Sequence, residues 1–291
     1  MHNFFQFVIG GLGFGGIYAF AALGLVLIFK TSGVVNFAFG AMATVVTLTL
    51  WSLLNHAGLP FAAAWVLAMV IAMLIGGFTN GVLMRRIERS AVLVQIVLTL
   101  GLLILIEGLA GVLWGYGPKS IPQPLSGNPV NVASFLITPN DLFIIGLTVG
   151  VGLLLFVVFE WTRVGLAMRA IAADREVASL MGIRTNLYVT GSWALGTALS
   201  GIAAILVAPS LGLEPTMMDQ VAVFAFAAAI VGGFGSLIGA VVGGFLIGVA
   251  SNLIAAYVST NLQLTLIFAV IVAVLYVRPD GLFGRQAVSR Q

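Results

Sequence analysis

Charge is the first thing this sequence lacks. Only 7% of its 291 residues are Asp, Glu, Lys or Arg, where a soluble domain carries roughly 25%. So few charges cannot cover a water-exposed surface, which excludes a soluble globular protein. Cysteine is absent, so disulfides and thiolate chemistry are excluded, although this says little about compartment. The two histidines, His2 and His56, fall where helix ends or loops are expected, which points away from a histidine metal site or proton relay. No G-x-x-x-x-G-K-[ST] phosphate loop occurs. The run Gly10-Gly11-Leu12-Gly13 lies inside an apolar stretch, with no strand before it and no acidic residue about 20 positions on, so it reads as helix packing rather than a dinucleotide fingerprint.

What is present is apolar surface. Hydrophobic residues make up 61% of the chain, with 36 glycines, and the solvent for most of it must be lipid. A spanning helix needs about 20 apolar residues. Such stretches lie at 5–29, 34–54, 60–84, 91–113, 141–161, 187–209, 237–256 and 262–277, with a shorter one at 221–232. The first has no basic n-region and is too long for the core of a signal peptide, so it reads as a retained helix. The short one ends at Gly232-Gly233-Phe234-Gly235-Ser236 and either crosses or re-enters, so eight or nine transmembrane helices are expected. The fold class is therefore an all-α polytopic membrane protein. It is expected to form one domain over 1–291, with a broken or re-entrant helix near 221–236.

Basic residues give this map a direction. If the spans alternate and the seventh crosses, Lys30, Arg85, Arg86, Arg89, Arg163, Arg169, Arg175, Arg184, Arg278, Arg285 and Arg290 share one side. Lys119 is left on the other. The positive-inside rule makes the crowded side cytoplasmic, with the C-terminus inside and the N-terminus outside. The net charge of +3 is then a signature of orientation and not of a nucleic-acid partner. The external side holds the loop 114–140 with Pro118, Pro122, Pro124, Pro129 and Pro139, too short and too proline-rich for a folded domain.

The cytoplasmic loop 162–184 contains a helix signature. Asp174 suits an N-cap, Arg175 to Met181 make about two turns, and Gly182 suits the left-handed C′ position. Val177, Leu180 and Met181 share one face at i, i+3, i+4 spacing. Such a helix either lies on lipid headgroups or docks into a groove of a soluble partner.

At this loop the residues resemble a known family. Asp174-Arg175-Glu176, Ala178 and Leu180-Met181-Gly182 are similar to the cytoplasmic loop of branched-chain amino acid permeases of the ABC importer class. Ile17-Tyr18-Ala19-Phe20-Ala21-Ala22-Leu23-Gly24-Leu25 with Val35-Asn36-Phe37-Ala38 resembles the family's opening helices. Gly232-Gly233-Phe234-Gly235-Ser236-Leu237-Ile238-Gly239-Ala240 resembles its Gly-rich turn, and Arg278-Pro279-Asp280-Gly281-Leu282-Phe283-Gly284 its C-terminal signature. The resemblance covers nearly the whole chain, in order. It implies an inner-membrane subunit of a bacterium or archaeon with no cofactor and no enzymatic activity of its own. ATP would be bound by two partner ATPase subunits, on which Asp174, Arg175, Glu176, Val177, Leu180, Met181 and Gly182 would rest as a coupling helix. A second permease chain or a copy of this one, and an external substrate-binding protein, would complete the transporter.

Polar residues within spans are costly and tend to face a cavity or another helix. Asn36 opens the second span, either near the cytoplasmic boundary or, if the helix is broken there, deeper as the cap of a half-helix. Phe37 and Phe39 would line the wall beside it. In related permeases the position of Phe39 is commonly His, so this wall is more apolar. Glu107 lies about 25 Å from the cytoplasmic end by helix rise, and either binds a substrate ammonium or hydrogen-bonds within the bundle. Asn80, Gln95, Thr99 and Asn252 are weaker candidates. Gly232, Gly233 and Gly235 permit a tight turn or a half-helix end, and Gly239, Gly243, Gly244 and Gly248 form a small-residue face. The expected cargo is a branched-chain or other hydrophobic amino acid; urea, short amides and aromatic acids are alternatives within the class. A stand-alone secondary transporter or channel lacks support, since no pair of intramembrane acids or histidines stands ready to couple protons.

Overall fold

A computed structural model describes residues 2–125, 127–132 and 135–284. Its helices are α1 (His2–Ser32), α2 (Phe39–Asn55), α3 (Phe61–Phe78), α4 (Val92–Trp114), α5 (Pro139–Trp161), α6 (Arg163–Ala173), α7 (Arg175–Leu180), α8 (Thr185–Leu211), α9 (Met218–Gly232), α10 (Leu237–Tyr257) and α11 (Gln263–Val277). After α3 the chain continues through a π-helical turn, Thr79–Leu83, and a 3-10 turn, Met84–Arg86. Among the described residues, six segments are long and apolar enough to cross a membrane: those of α1, α3 with its extension, α4, α5, α8 and α10. The chain is a helical polytopic membrane protein.

The bundle is organised around α1, the most enclosed of the six, because glycine lets its neighbours come close. A Cβ added at Gly11 would lie 2.7 Å from Val249 Cα, and one at Gly15 would lie 2.8 Å from Phe245 Cα, both on α10. Gly24 of α1 meets Gly196 of α8, where a Cβ on Gly196 would stand 2.7 Å from the Gly24 carbonyl oxygen. With little hydrophobic drive between helices in lipid, such backbone approach supplies the packing energy. The small-residue faces expected at Gly10–Gly13 and Gly239–Gly248 are both at helix contacts.

The glycine contacts also set directions. Ala19 meets Gly244 and Gly15 meets Gly248, so α1 and α10 are antiparallel; Gly13 meets Asp141 and Gly16 meets Ile144, so α1 and α5 are parallel. Gly76 meets Trp193, and Asn80 Nδ2 donates to Thr190 Oγ1 at 2.8 Å, so α3 and α8 are antiparallel. The ends of α1, α3 and α5 therefore gather with the starts of α8 and α10. Lys30, Arg85, Arg86, Arg89, Arg163, Arg169, Arg175, Arg184 and Arg278 lie at this basic end. Lys119 lies at the other, paired through its backbone with Leu213 beyond α8. Arg285 and Arg290 lie outside the described residues.

Two expectations need correction. The second span starts at Phe39 and not near residue 34. Gly33 takes φ +70°, Val34 N–H donates to Ser32 Oγ, and Ala38 N–H donates to Asn36 Oδ1 at 3.0 Å. These local bonds hold the backbone out of a helix. Second, the loop 162–184 holds two helices, α6 and α7, where one was expected. Thr162 caps α6, accepting from Gly165 N–H. The loop 114–140 also contains two short antiparallel strands, β1 (Val130–Val132) and β2 (Phe135–Ile137). Gln6 of α1 ties them down, donating to Leu136 O at 2.7 Å and accepting from Leu136 N–H.

The short element begins at Met218, slightly earlier than 221. It follows the turn beyond α8 and ends at the basic end. There Leu282 N–H donates to Val231 O at 2.8 Å and Phe283 N–H to Gly232 O at 3.0 Å.

Candidate functional site

The exposed helix α7 is closed at both ends by its own sequence. Asp174 Oδ1 accepts from the N–H groups of Glu176 and Val177, each at 2.9 Å. At the other end Gly182 takes φ +82°. Its N–H donates to Ser179 O, while Ile183 N–H donates to Ala178 O, the paired bonds of a Schellman motif. Six residues are too few to be helical alone, so these caps and the packing beneath must hold the helix. Ala178 supplies that packing, buried in one apolar cluster with Ile28, Ile171, Val189 and Trp193. The opposite face is bare: Val177, Leu180 and Met181 are 54%, 82% and 79% exposed.

One tie was not legible in the sequence. Arg175 pairs with Glu88 at 2.8 Å and donates to Asn186 Oδ1. Glu88 precedes α4 by a short turn, so α7 is joined to the α3–α4 connection as well as to the start of α8. The only hint was a single acid among the arginines of Arg85-Arg86-Ile87-Glu88-Arg89. Replacing Asp174 by Ala removes both cap bonds and should cost about 1 kcal/mol of local helix stability. Hydrogen exchange of the 176–181 amides is expected to speed up about fivefold, with the melting temperature of the whole chain nearly unchanged. Unaltered exchange would show that the cap contributes nothing.

The proposed pathway residues divide into two places. Asn36 is fully buried, with its Nδ2 3.8 Å from Met42 Sδ. Phe37 and Phe39 both lean on Phe226 of α9, with ring centroids 5.3 and 5.6 Å apart. Phe226 is in the interior of α9, so α2 starts inside the bundle; its N-cap is Ala38, with no side-chain cap bond, and not Asn36. Glu107 is elsewhere, toward the end opposite the basic one. Its carboxyl group lies against that of Asp219 in the first turn of α9, and its Oε1 has no hydrogen-bond partner among the described residues. Of the weaker candidates, Asn252 is tied across to α1, donating to Phe7 O, while Gln95 donates to Glu88 O and Ser90 O just before its own helix and Thr99 to Ile96 O within it.

Gly232, Gly233 and Gly235 form the α9–α10 turn. Gly233 has φ +102° and sits where a Cβ would be 2.8 Å from Gly284 N and 2.9 Å from Asp280 O. Gly232 faces the Gly239 carbonyl, while Gly235 has open space around it. Ser236 caps α10 by accepting from Gly239 N–H at 3.0 Å. The 278–284 segment thus latches onto this turn, which explains why two glycine-rich motifs far apart in sequence occur together.

Residues 7–275 match the family described as branched-chain amino acid transport system / permease component. The chain belongs to this family. Its curated relatives include the high-affinity branched-chain amino acid transport system permease protein LivH of Escherichia coli K12, 29% identical over 99% of this chain and 97% of that one. BraD of Pseudomonas aeruginosa, named for the same system, is 27% identical over 100% and 99%. A probable branched-chain amino acid transport permease LivH of Methanocaldococcus jannaschii is 28% identical over 94% and 91%. Among solved structures, PsaBC from Streptococcus pneumoniae in complex with Fab aligns with a TM-score of 0.49 at 16% identity, covering 95% of this chain and 92% of that one. The family match spans the α1 glycine face, the α7 loop and the α9–α10 turn.

Proposed function

We propose that this permease is the membrane subunit of an ATP-driven importer, lying in the cytoplasmic membrane of a bacterium or archaeon with its basic end inside. On this orientation the N-terminus is outside, the C-terminus is cytoplasmic, and nine segments, α9 among them, lie across the bilayer. The clustering of basic residues at one end supports it through the positive-inside rule. The cargo is a branched-chain or other hydrophobic amino acid, in keeping with the names of the relatives.

The observation that carries the reading is α7. An exposed apolar stripe on a doubly capped helix, braced by an ion pair and by Ala178, suits docking into a groove of a soluble ATPase subunit. ATP would be bound and hydrolysed there. Closure of the ATPase dimer would push α7, and Arg175–Glu88 and Ala178 would pass the displacement to the α3–α4 connection, α1 and α8. Asn36, Phe37 and Phe39 form an apolar stretch of pathway, weakly binding, so that an external binding protein sets specificity. Gly232, Gly233 and Gly235 let α9 and α10 change their angle. The facing carboxyl groups of Glu107 and Asp219 favour a cargo with an ammonium group over neutral urea or short amides, since two adjacent carboxylates gain from a cation between them. A second permease, homologous or identical, completes the pathway.

The test is co-expression with the neighbouring ATPase and binding-protein genes, purification, and reconstitution into liposomes. ATP-dependent uptake of leucine, isoleucine and valine is expected, with no competition from urea. Urea uptake without leucine uptake would overturn the cargo. Failure of any ATPase subunit to co-purify would overturn the importer.

A further inference from the structure

At the basic end an open cleft of about 1010 Å³ lies between the end of α1, the end of α5, α6 and the start of α10. It is separate from the exposed stripe of α7 and from the residues assigned to the pathway. Its lining is amphiphilic. Three cations, Lys30, Arg169 and Arg175, face it with one carboxylate, Glu160. Arg169 is anchored by Glu160 and Arg175 by Glu88, while Lys30 lies over the Phe159 ring at 5.4 Å. The arginines are thus held in place with side chains still 33% and 28% exposed. The first turn of α10 adds the N–H groups of Leu237 and Ile238, which find no acceptor among the described residues. The other walls are apolar, from Phe29, Phe156, Ile238 and Phe283.

The surroundings say what kind of anion fits. Beside the cleft, α5 turns Leu153 and Leu154 outward, 59% and 60% exposed, as a lipid-facing helix does. Trp161 at its end is 78% exposed, suited to the headgroup level where tryptophan collects. Basic pockets between spanning helices at the cytoplasmic boundary are suited to anionic headgroups. A free phosphate ester would leave the apolar walls wet, whereas a phospholipid covers them with its acyl chains.

We propose that this cleft is a binding site for an anionic phospholipid of the inner leaflet, its phosphate at Lys30, Arg169 and the α10 N-terminus and its chains along Phe156 and Ile238. The site goes beyond transport and rests on the proposed orientation, with the basic end inside, and not on the cargo or the ATPase. A lipid there bridges α5, α6 and α10, next to the latch of the 278–284 segment.

The experiment is native mass spectrometry of the full chain in detergent, titrated with phosphatidylglycerol, phosphatidylcholine of the same acyl chains, or glycerol 3-phosphate. Phosphatidylglycerol adducts are expected to persist where phosphatidylcholine is stripped. Lys30→Gln should lower phosphatidylglycerol occupancy about fivefold. Ile238→Glu, a substitution at an exposed position that sets a negative charge at the mouth, should lower it at least as much. Arg89→Gln makes the same charge change as Lys30→Gln at the same end but outside the cleft, and should leave occupancy unchanged. Equal retention of both lipids would overturn the site, as would a loss in Arg89→Gln as large as in Lys30→Gln. Unaltered retention in Ile238→Glu at an unchanged melting temperature would do the same. Competition by glycerol 3-phosphate at equal concentration would assign the cleft to a soluble phosphate ester and overturn the lipid.

Discussion

Leu180→Glu combined with Met181→Glu is expected to leave the permease folded and to abolish its association with the ATPase. Both side chains are already largely exposed, so the double substitution removes nothing from the core. The bonds that hold α7 belong to other groups: Asp174 Oδ1 at its start, the Gly182 and Ile183 N–H groups at its end, and Ala178 beneath. In a docked complex the two residues would be buried, each worth about 1.5–3 kcal/mol. Two carboxylates would enter a groove shaped for apolar groups. A loss of at least about 3 kcal/mol is therefore expected, on the order of 100-fold in the dissociation constant. Pull-down of the ATPase subunits reads the loss, and the melting temperature of the variant in detergent checks the fold. Undiminished association and transport would remove α7 from the coupling surface and leave a helix that lies on lipid headgroups.

The second large effect concerns packing and does not depend on the cargo. Gly248→Leu is expected to prevent the bundle from assembling. A Cβ at 248 would meet the backbone of Gly15 and the carbonyl oxygen of Gly11. These are main-chain atoms of the central helix and have no flexible end to swing aside. Overpacking usually costs about 1–3 kcal/mol and occasionally more; here a whole helix must shift, so about 3 kcal/mol or more is expected. Gly150→Leu on α5 is the matched control, since no atom lies within 4 Å of a Cβ built there and the residue is exposed. The yield of monodisperse protein and its melting temperature should collapse for Gly248→Leu and hold for Gly150→Leu. Equal stability of the two variants would show that the α1–α10 contact can open without cost.

Much of the fold is legible because lipid imposes a simple rule on the chain. Every backbone polar group in hydrocarbon must be satisfied, so long apolar runs become helices. The boundaries of α4, α5 and α10 fall within a residue or two of the apolar stretches. The α7 caps are legible for a different reason: Asp174 and Gly182 act on backbone groups only a few positions away. The start of α2 was missed because apolar composition continues through Val34 and Val35, while the deciding bonds come from Ser32 and Asn36 side chains. Asn36 stands two residues before the Ala38 N-cap, and it is the contact of Phe37 and Phe39 with Phe226 that sets the start of α2 inside the bundle. The helix α6 was missed because Thr162 and Gly165 were read as part of a loop. There the cap closes over the Phe159 carbonyl, which leaves no trace in the hydrophobic pattern.

The sequence by itself determined the solvent, the helical class, the charge asymmetry and the capped helix at 174–182. Each follows from composition or from interactions within one helical turn. Tertiary structure alone decided which glycines oppose one another, that Arg175 pairs with Glu88, and that α2 begins inside the bundle. It also decided that the 278–284 segment closes over the α9–α10 turn and that Lys30 and Arg169 share a cleft. Those features depend on residues dozens to hundreds of positions apart meeting at one depth, and that meeting is set by how helices tilt and pack, which no local pattern encodes.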